Sequence, residues 1–308
     1  MTIAAQGRER IAPPADLHSH RMGLADAPFA IMASLLIAAK LAGVPLNGPI
    51  ASLGAALVFL LGGLPHGAFD LAVARRFARS GLASYAHSAA LYALVLGIAA
   101  TAWTLAPHIA LPIFLVLAAL HFAADWSMIG ERFIETGVGV ALVALPIAAH
   151  PAAVLDIFTA MGGADMAATI GRGGMVVAPV ASLVALIGAT ILVERGRSVE
   201  AAQLVGSLLA MLVLPPLWGF ALYFTCVHSV RHFREIGEAM PGLGRAAWLR
   251  TGAGLTLAAL ALGYALLPAM RHLDAPGFVP AAFVLLAILF MPHLVLSARI
   301  DSLRRAAR

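Results

Sequence analysis

Apolar runs of about 20 residues recur along this chain, at roughly 27–44, 50–72, 84–106, 109–128, 134–155, 174–193, 199–215, 217–236, 247–268 and 278–298. A helix of that length spans the hydrocarbon core of a bilayer with its backbone polar groups bonded internally. Of 308 residues, 61% are hydrophobic and 11% charged, against roughly 45–50% and 25% in soluble domains. Mean hydropathy is +0.93. The expected fold class is all-α, a polytopic transmembrane helix bundle of about ten spans. Residues 1–26 read as a polar leader, 27–298 as a single transmembrane helical domain, and 299–308 as a basic cytoplasmic tail. No cleavable signal peptide is expected, because the first apolar run starts late and ends without an A-x-A-like site. Pro215-Pro216 separates two spans. The stretch 156–173, with Gly162-Gly163 and Gly171-Arg172-Gly173, reads as the longest loop.

Charge sets the expected orientation. With a cytoplasmic N-terminus and ten spans, the cytoplasmic connections hold Arg75, Arg76 and Arg79, then Arg132, then Arg195 and Arg197, then Arg234, Arg245 and Arg250. The tail adds Arg299, Arg304, Arg305 and Arg308, and the opposite side holds only Arg172 and Arg271. That bias fits the positive-inside rule and puts both termini in the cytoplasm. The net charge of +5 serves membrane orientation and is no sign of a nucleic-acid partner. Cys226 is the only cysteine, which excludes an intrachain disulfide and a Cys-based metal site.

Inside the apolar runs lie polar groups four residues apart: His66 and Asp70 in LGGLPHGAFD, His121 and Asp125 in LHFAADW, and His228 and His232 in CVHSVRHF. Spacing of i,i+4 puts both members on one helix face. Ionisable groups at membrane depth are costly unless paired, protein-buried or metal-bound. In the ten-span topology all six, together with His293 in MPHLVL, fall in the cytoplasmic half at similar depth. Each pair alone could be a polar clasp between helices, the histidine bonding its i+4 partner or a carbonyl. The aspartates could equally cap helix ends or pair with Arg75 or Arg132. As a set they point to one buried metal centre. Imidazole suits zinc, iron, copper and nickel; HExxH is absent, and all-imidazole ligation with open positions suits iron that must bind oxygen. Two other classes stay open. A di-metal hydroxylase or desaturase would use the aspartates as ligands, though HxxHH boxes are missing. A haem-binding or transport protein would need fewer histidines. His18 and His20 lie in the leader, His87, His108, His150 and His272 at span ends, and Cys226 is expected in the core.

The motifs GLPHGAFD, LHFAADW, CVHSVRHF and MPHLVL resemble those of the Brp/Blh family of bacterial and archaeal β-carotene 15,15′-dioxygenases. The resemblance implies a multi-pass protein of the inner (cytoplasmic) membrane. Such an enzyme cleaves β-carotene symmetrically with O₂ to two retinals, using non-haem Fe(II). Carried over by motif, His66, His121, His228 and His232 would be the catalytic iron ligands. Asp70 and Asp125 would orient imidazoles by accepting their second N–H. His293 would stand behind the ligands or replace one. The carotenoid would enter laterally from lipid into an apolar tunnel. Phe224, Tyr223, Trp126, Phe122 and Phe69 flank the ligands and are candidates to line it, Phe224 foremost as it lies one turn before His228. The retinal is expected to pass to a rhodopsin-type protein.

Overall fold

A computed structural model of the chain describes residues 27–69, 81–239, 244–270 and 278–306. Regular structure among them is helical throughout. In order come α1 (Ala27–Leu41), α2 (Pro49–Ala68), α3 (Gly81–Leu105), α4 (Pro107–Ala124) and a 3₁₀ turn (Ser127–Ile129). Then follow α5 (Arg132–Ala149), α6 (Pro151–Gly162), α7 (Ala164–Glu194), α8 (Ser198–Val213) and α9 (Pro216–Tyr223). A π turn (Phe224–His228) joins α9 to α10 (Ser229–Ala239), and α11 (Arg245–Met270) and α12 (Phe278–Ala306) close the bundle. Among the described residues, α3, α4, α5, α7 and α12 contain stretches long and apolar enough to cross a membrane. The leader and the connection 70–80 lie outside the described residues.

Proline punctuates the chain as its chemistry requires. Pro107, Pro151 and Pro216 stand in the first turns of α4, α6 and α9, where a backbone N–H has no intrahelical partner to lose. The break at Pro215-Pro216 is where the sequence puts it. The run 134–155 is not one span. His150 leaves the helical region (φ −135°, ψ 56°) and α5 ends at Ala149, because Pro151 disfavours helical geometry in the residue before it. The stretch 156–173 is not a loop either. It is helix apart from Gly163, whose φ of 86° makes the turn between α6 and α7. Gly171, Gly173 and Gly174 lie inside α7, and a Cβ on Gly174 would lie 2.6 Å from Ile147. At Gly174 close helix packing overrides glycine's weak helix propensity.

α7 shows how the bundle faces its solvent. Ala178, Ala181, Ala185 and Ala189 are buried, whereas Val176, Val180, Leu183 and Ile187 are exposed. Small residues turn inward and large apolar ones outward, the reverse of a soluble helix. α5 packs along both α7 and α4. A Cβ on Gly137 would come within 2.3 Å of Val184, and one on Gly188 within 3.0 Å of Ile129. Gly139 is tighter still, since its Cβ would lie 2.0 Å from the Ala119 carbonyl oxygen on α4. That contact fixes α4, and His121 half a turn beyond Ala119, against α5. On the other flank α2 packs against α9, the π turn and α10. A Cβ on Gly62 would sit 2.3 Å from Thr225, so the α2 face that also carries the backbone of His66, one turn on, abuts the π turn.

Gly139→Ala is expected to destabilise the bundle by roughly 1–3 kcal/mol, the usual range for overpacking. The Gly97→Ala change on α3, where a Cβ meets nothing within 4 Å, should be neutral. Thermal unfolding of both variants in detergent checks the contrast.

Candidate functional site

Four imidazoles from three parts of the chain meet inside the bundle. His121 comes from the last turn of α4, His228 from the π turn, His232 from α10 and His293 from α12. Ring centroids lie 4.9 Å apart for His121 and His228, 5.1 Å for His121 and His293, and 5.0 Å for His232 and His293. All of these pairs meet edge to face. The Nε2 atoms of all four are buried, and that of His121 makes no hydrogen bond among the described residues. Imidazoles sharing one ion at roughly 2.1 Å keep their centroids roughly 4.5–5.5 Å apart. Aromatic rings in edge contact keep the same spacing, so the distances alone do not decide. Among the described residues no three His, Cys, Asp or Glu side chains already stand as a metal-binding group.

Behind the imidazoles lies Asp125. Its Oδ2 accepts the Tyr223 hydroxyl at 2.6 Å and stands 2.9 Å from His228 Nδ1. A carboxylate can only accept, so Nδ1 of His228 carries a proton, which in the neutral ring leaves the lone pair on Nε2. The described bond therefore runs across helices to His228 and not to His121, the helical neighbour of Asp125. The local fold explains how one oxygen serves both donors. Tyr223 and His228 are five residues apart, which in an α-helix separates them by about 140° round the axis. The π turn closes an i→i+5 bond, from the Ser229 N–H to the Phe224 carbonyl, and brings residues five apart onto one face.

The two sides of the cluster differ in chemistry. One is aromatic. Phe224 stacks on His228 at 5.1 Å, Phe122 meets the same ring at 5.2 Å, and Phe290 meets His121 at 5.1 Å. Phe59, Phe220 and Phe283 extend this wall, with centroid distances of 5.0 to 5.7 Å among them and to Phe224. The other side is polar. A cavity of about 230 Å³ beside Asp125 is lined by Arg197, Glu200, Gln203, Arg231, Arg234 and Glu235 among others. Arg231 stands over the Trp126 ring at 4.1 Å, and Glu200 is held by Arg197 at 2.6 Å.

Of the residues singled out by sequence, His121, His228, His232, His293 and Asp125 come together. Asp70 lies outside the described residues, as does the side chain of His66, whose backbone is in α2. Phe122 and Phe224 touch an imidazole. Tyr223 serves Asp125, and Trp126 lies under Arg231. Phe69 packs on Trp248 at 4.2 Å, on another flank. Sequence reasoning missed Phe220, one turn before Phe224, and Phe290, three residues before His293; helical spacing from a known ligand could have found both. It also missed Arg231 and Gln203, for which there was no local signal. His150 sits at the α5–α6 junction, as a span-end histidine should.

A family model described as Beta-carotene 15,15'-dioxygenase matches residues 56–301. The chain belongs to that family. The dioxygenase match runs from α2 through α12 and so takes in each helix that brings an imidazole to the cluster. No curated protein and no solved structure matches the chain.

Tyr223→Phe deletes one hydroxyl and leaves the nearly buried Asp125 carboxylate short of a donor. It should cost about 1–3 kcal/mol of stability, read as a shift of the unfolding midpoint in detergent, with the helical circular dichroism of the folded state unchanged.

Proposed function

We propose that this protein cleaves β-carotene, or a closely related carotenoid, at the central 15,15′ double bond with O₂ to give two retinal molecules. The imidazole cluster holds a non-haem iron(II) for this purpose. The observation that carries the reading is the meeting of His121, His228, His232 and His293 in a chain of the dioxygenase family. The donor set fits such an ion: buried imidazole nitrogens, with no thiolate within the cluster. His66, His121, His228 and His232 are the proposed ligands. His293, whose ring touches both His121 and His232, joins them or stands in for one. Bound there, iron(II) would supply the O₂ activation that cleavage of an unactivated polyene needs.

The chain's own residues do the rest. Asp125 keeps the His228 proton on Nδ1, so Nε2 faces ligation in one tautomer; Asp70 is proposed to orient an imidazole in the same way. Phe224, Phe122 and Phe290 offer a polyene an apolar surface on one side of the cluster. Polar groups are gathered on the other side, away from the hydrocarbon. A symmetric substrate then centres by filling apolar space equally to either hand. Two observations disfavour the other classes. Asp125 Oδ2 already serves two donors, which suits an orienting group better than a ligand of a second metal. Ring contact at 4.9 Å leaves no gap for a porphyrin between His121 and His228.

We also propose about ten spans with both termini cytoplasmic and the cluster in the cytoplasmic half of the membrane. The arginine bias and the charged cavity beside Asp125 support it. Cysteine-accessibility mapping should find positions 75 and 195 on the same side; finding them on opposite sides overturns this topology.

Expression in cells that accumulate β-carotene is expected to bleach their orange colour and yield retinal as the only aldehyde. Alanine at His121, His228 or His232 should abolish both the bleaching and the bound iron, whereas His87→Ala on the exposed face of α3 should leave them unchanged. Longer apocarotenals among the products would rule out central cleavage, and full iron with full turnover in the His228 variant would rule out the ligand assignment.

A further inference from the structure

We infer that Arg231, acting with Gln203, is the positioning residue that sets the geometry of Asp125 and through it of His228. The inference rests on the dioxygenase reading for its consequence and on hydrogen bonds for its content. Arg231 lies on α10, three residues after His228 and one before His232. One terminal nitrogen of its guanidinium donates to the backbone carbonyl of Asp125. The other donates to Gln203 Oε1 on α8 at 2.9 Å. The guanidinium carbon lies over the fully buried Trp126 ring, 4.1 Å from its centroid. One planar cation thus fastens α10 to the exit of α4, to α8 and to the turn that follows α4.

These bonds close a ring. Asp125 accepts from His228 through its side chain, and Arg231, on the same helical run as His228, grips Asp125 through its main chain. Arg231 fixes the main chain of Asp125 relative to the helical run that carries His228, so the Asp125 carboxylate reaches Nδ1 and the Tyr223 hydroxyl from a backbone held in place. Arg231 is not a surface ion pair in disguise. Of the carboxylates that bear on it, Asp125 comes before Glu200, and Glu200 is engaged by Arg197 through both a 2.6 Å and a 3.1 Å bond. Nor does Arg231 reach the aromatic side where a polyene would lie. Its part is to hold the group that holds an imidazole. A lysine could supply the charge but not two divergent bonds together with a stacked plane.

The test uses the full chain in detergent, with Arg231→Met, Arg231→Lys and Gln203→Leu. The metal-free readout is the nitrogen NMR signal of the His228 Nδ1–H in histidine-labelled protein, assigned by loss in His228→Ala. Arg231→Met should shift that signal, and Arg231→Lys and Gln203→Leu should shift it less. In the iron-loaded protein Arg231→Met should lose about tenfold in iron affinity, by chelator competition, and about tenfold in kcat, with KM nearly unchanged, as losses behind a metal ligand do. Arg231→Lys should recover part of both. Wild-type NMR signal, iron affinity and kcat in Arg231→Met overturn the inference, as does a lowered unfolding temperature with those three unchanged. If Arg231→Met does not fold, Arg231→Lys is read by the same measures, and a wild-type signal and kcat there overturn it. If the wild-type chain binds no iron, the dioxygenase reading falls while the His228 signal still decides the role of Arg231.

Discussion

The bond pair at Asp125 is the interaction on which the interior of this bundle depends. In an apolar medium a carboxylate must be met by donors, and here they come from a single run of chain, Tyr223 and His228. That demand dictates the backbone. An unbroken α-helix would turn one of the two donors away, and the π turn is the local deformation that keeps both. Once His228 is fixed, His121 one turn before Asp125 and His232 one turn after His228 follow from helix geometry. His293 is delivered by α12 against the faces that remain.

The division of the site into an aromatic and a polar side has the same origin. Helices that enter from the lipid bring Phe59, Phe122, Phe220, Phe224, Phe283 and Phe290 together, since nothing penalises apolar contact at that depth. Where α4 and the 3₁₀ turn after it end, backbone carbonyls lose their helical partners, and arginines meet them. Arg231 bonding the Asp125 carbonyl and Arg195 bonding the Met128 carbonyl at 3.3 Å are two instances. The imidazoles stand at the boundary between the two.

Much of this was legible from residue order. Apolar runs gave the helices, and depth in the inferred topology grouped His121, His228, His232 and His293. The partner of Asp125 was not legible, because an i,i+4 pair read along one helix suggests a local bond and says nothing of a neighbouring helix. The π turn leaves no mark in FTCVH, a string equally compatible with an α-helix. Glycines misled in 156–173, where Gly162 packs against Leu111 on α4, Gly163 alone makes a turn, and Gly171 and Gly173 lie within α7. Arg231 read as one more basic residue at a segment end, and only its guanidinium contacts distinguish it.

α7 carries a consequence for the membrane itself. Its apolar stretch, residues 173–193, is bracketed by Arg172 and Glu194 and extends about 31 Å at 1.5 Å per residue. That matches the thickness of a typical hydrocarbon core, roughly 30 Å. Residues 164–172 continue the same helix for about 13 Å. Because α7 is interlocked with α5, and α5 with α4, hydrophobic mismatch in a thinner or thicker bilayer would be transmitted to His121. Lipid chain length thereby becomes a variable that bears directly on the depth of the imidazole cluster.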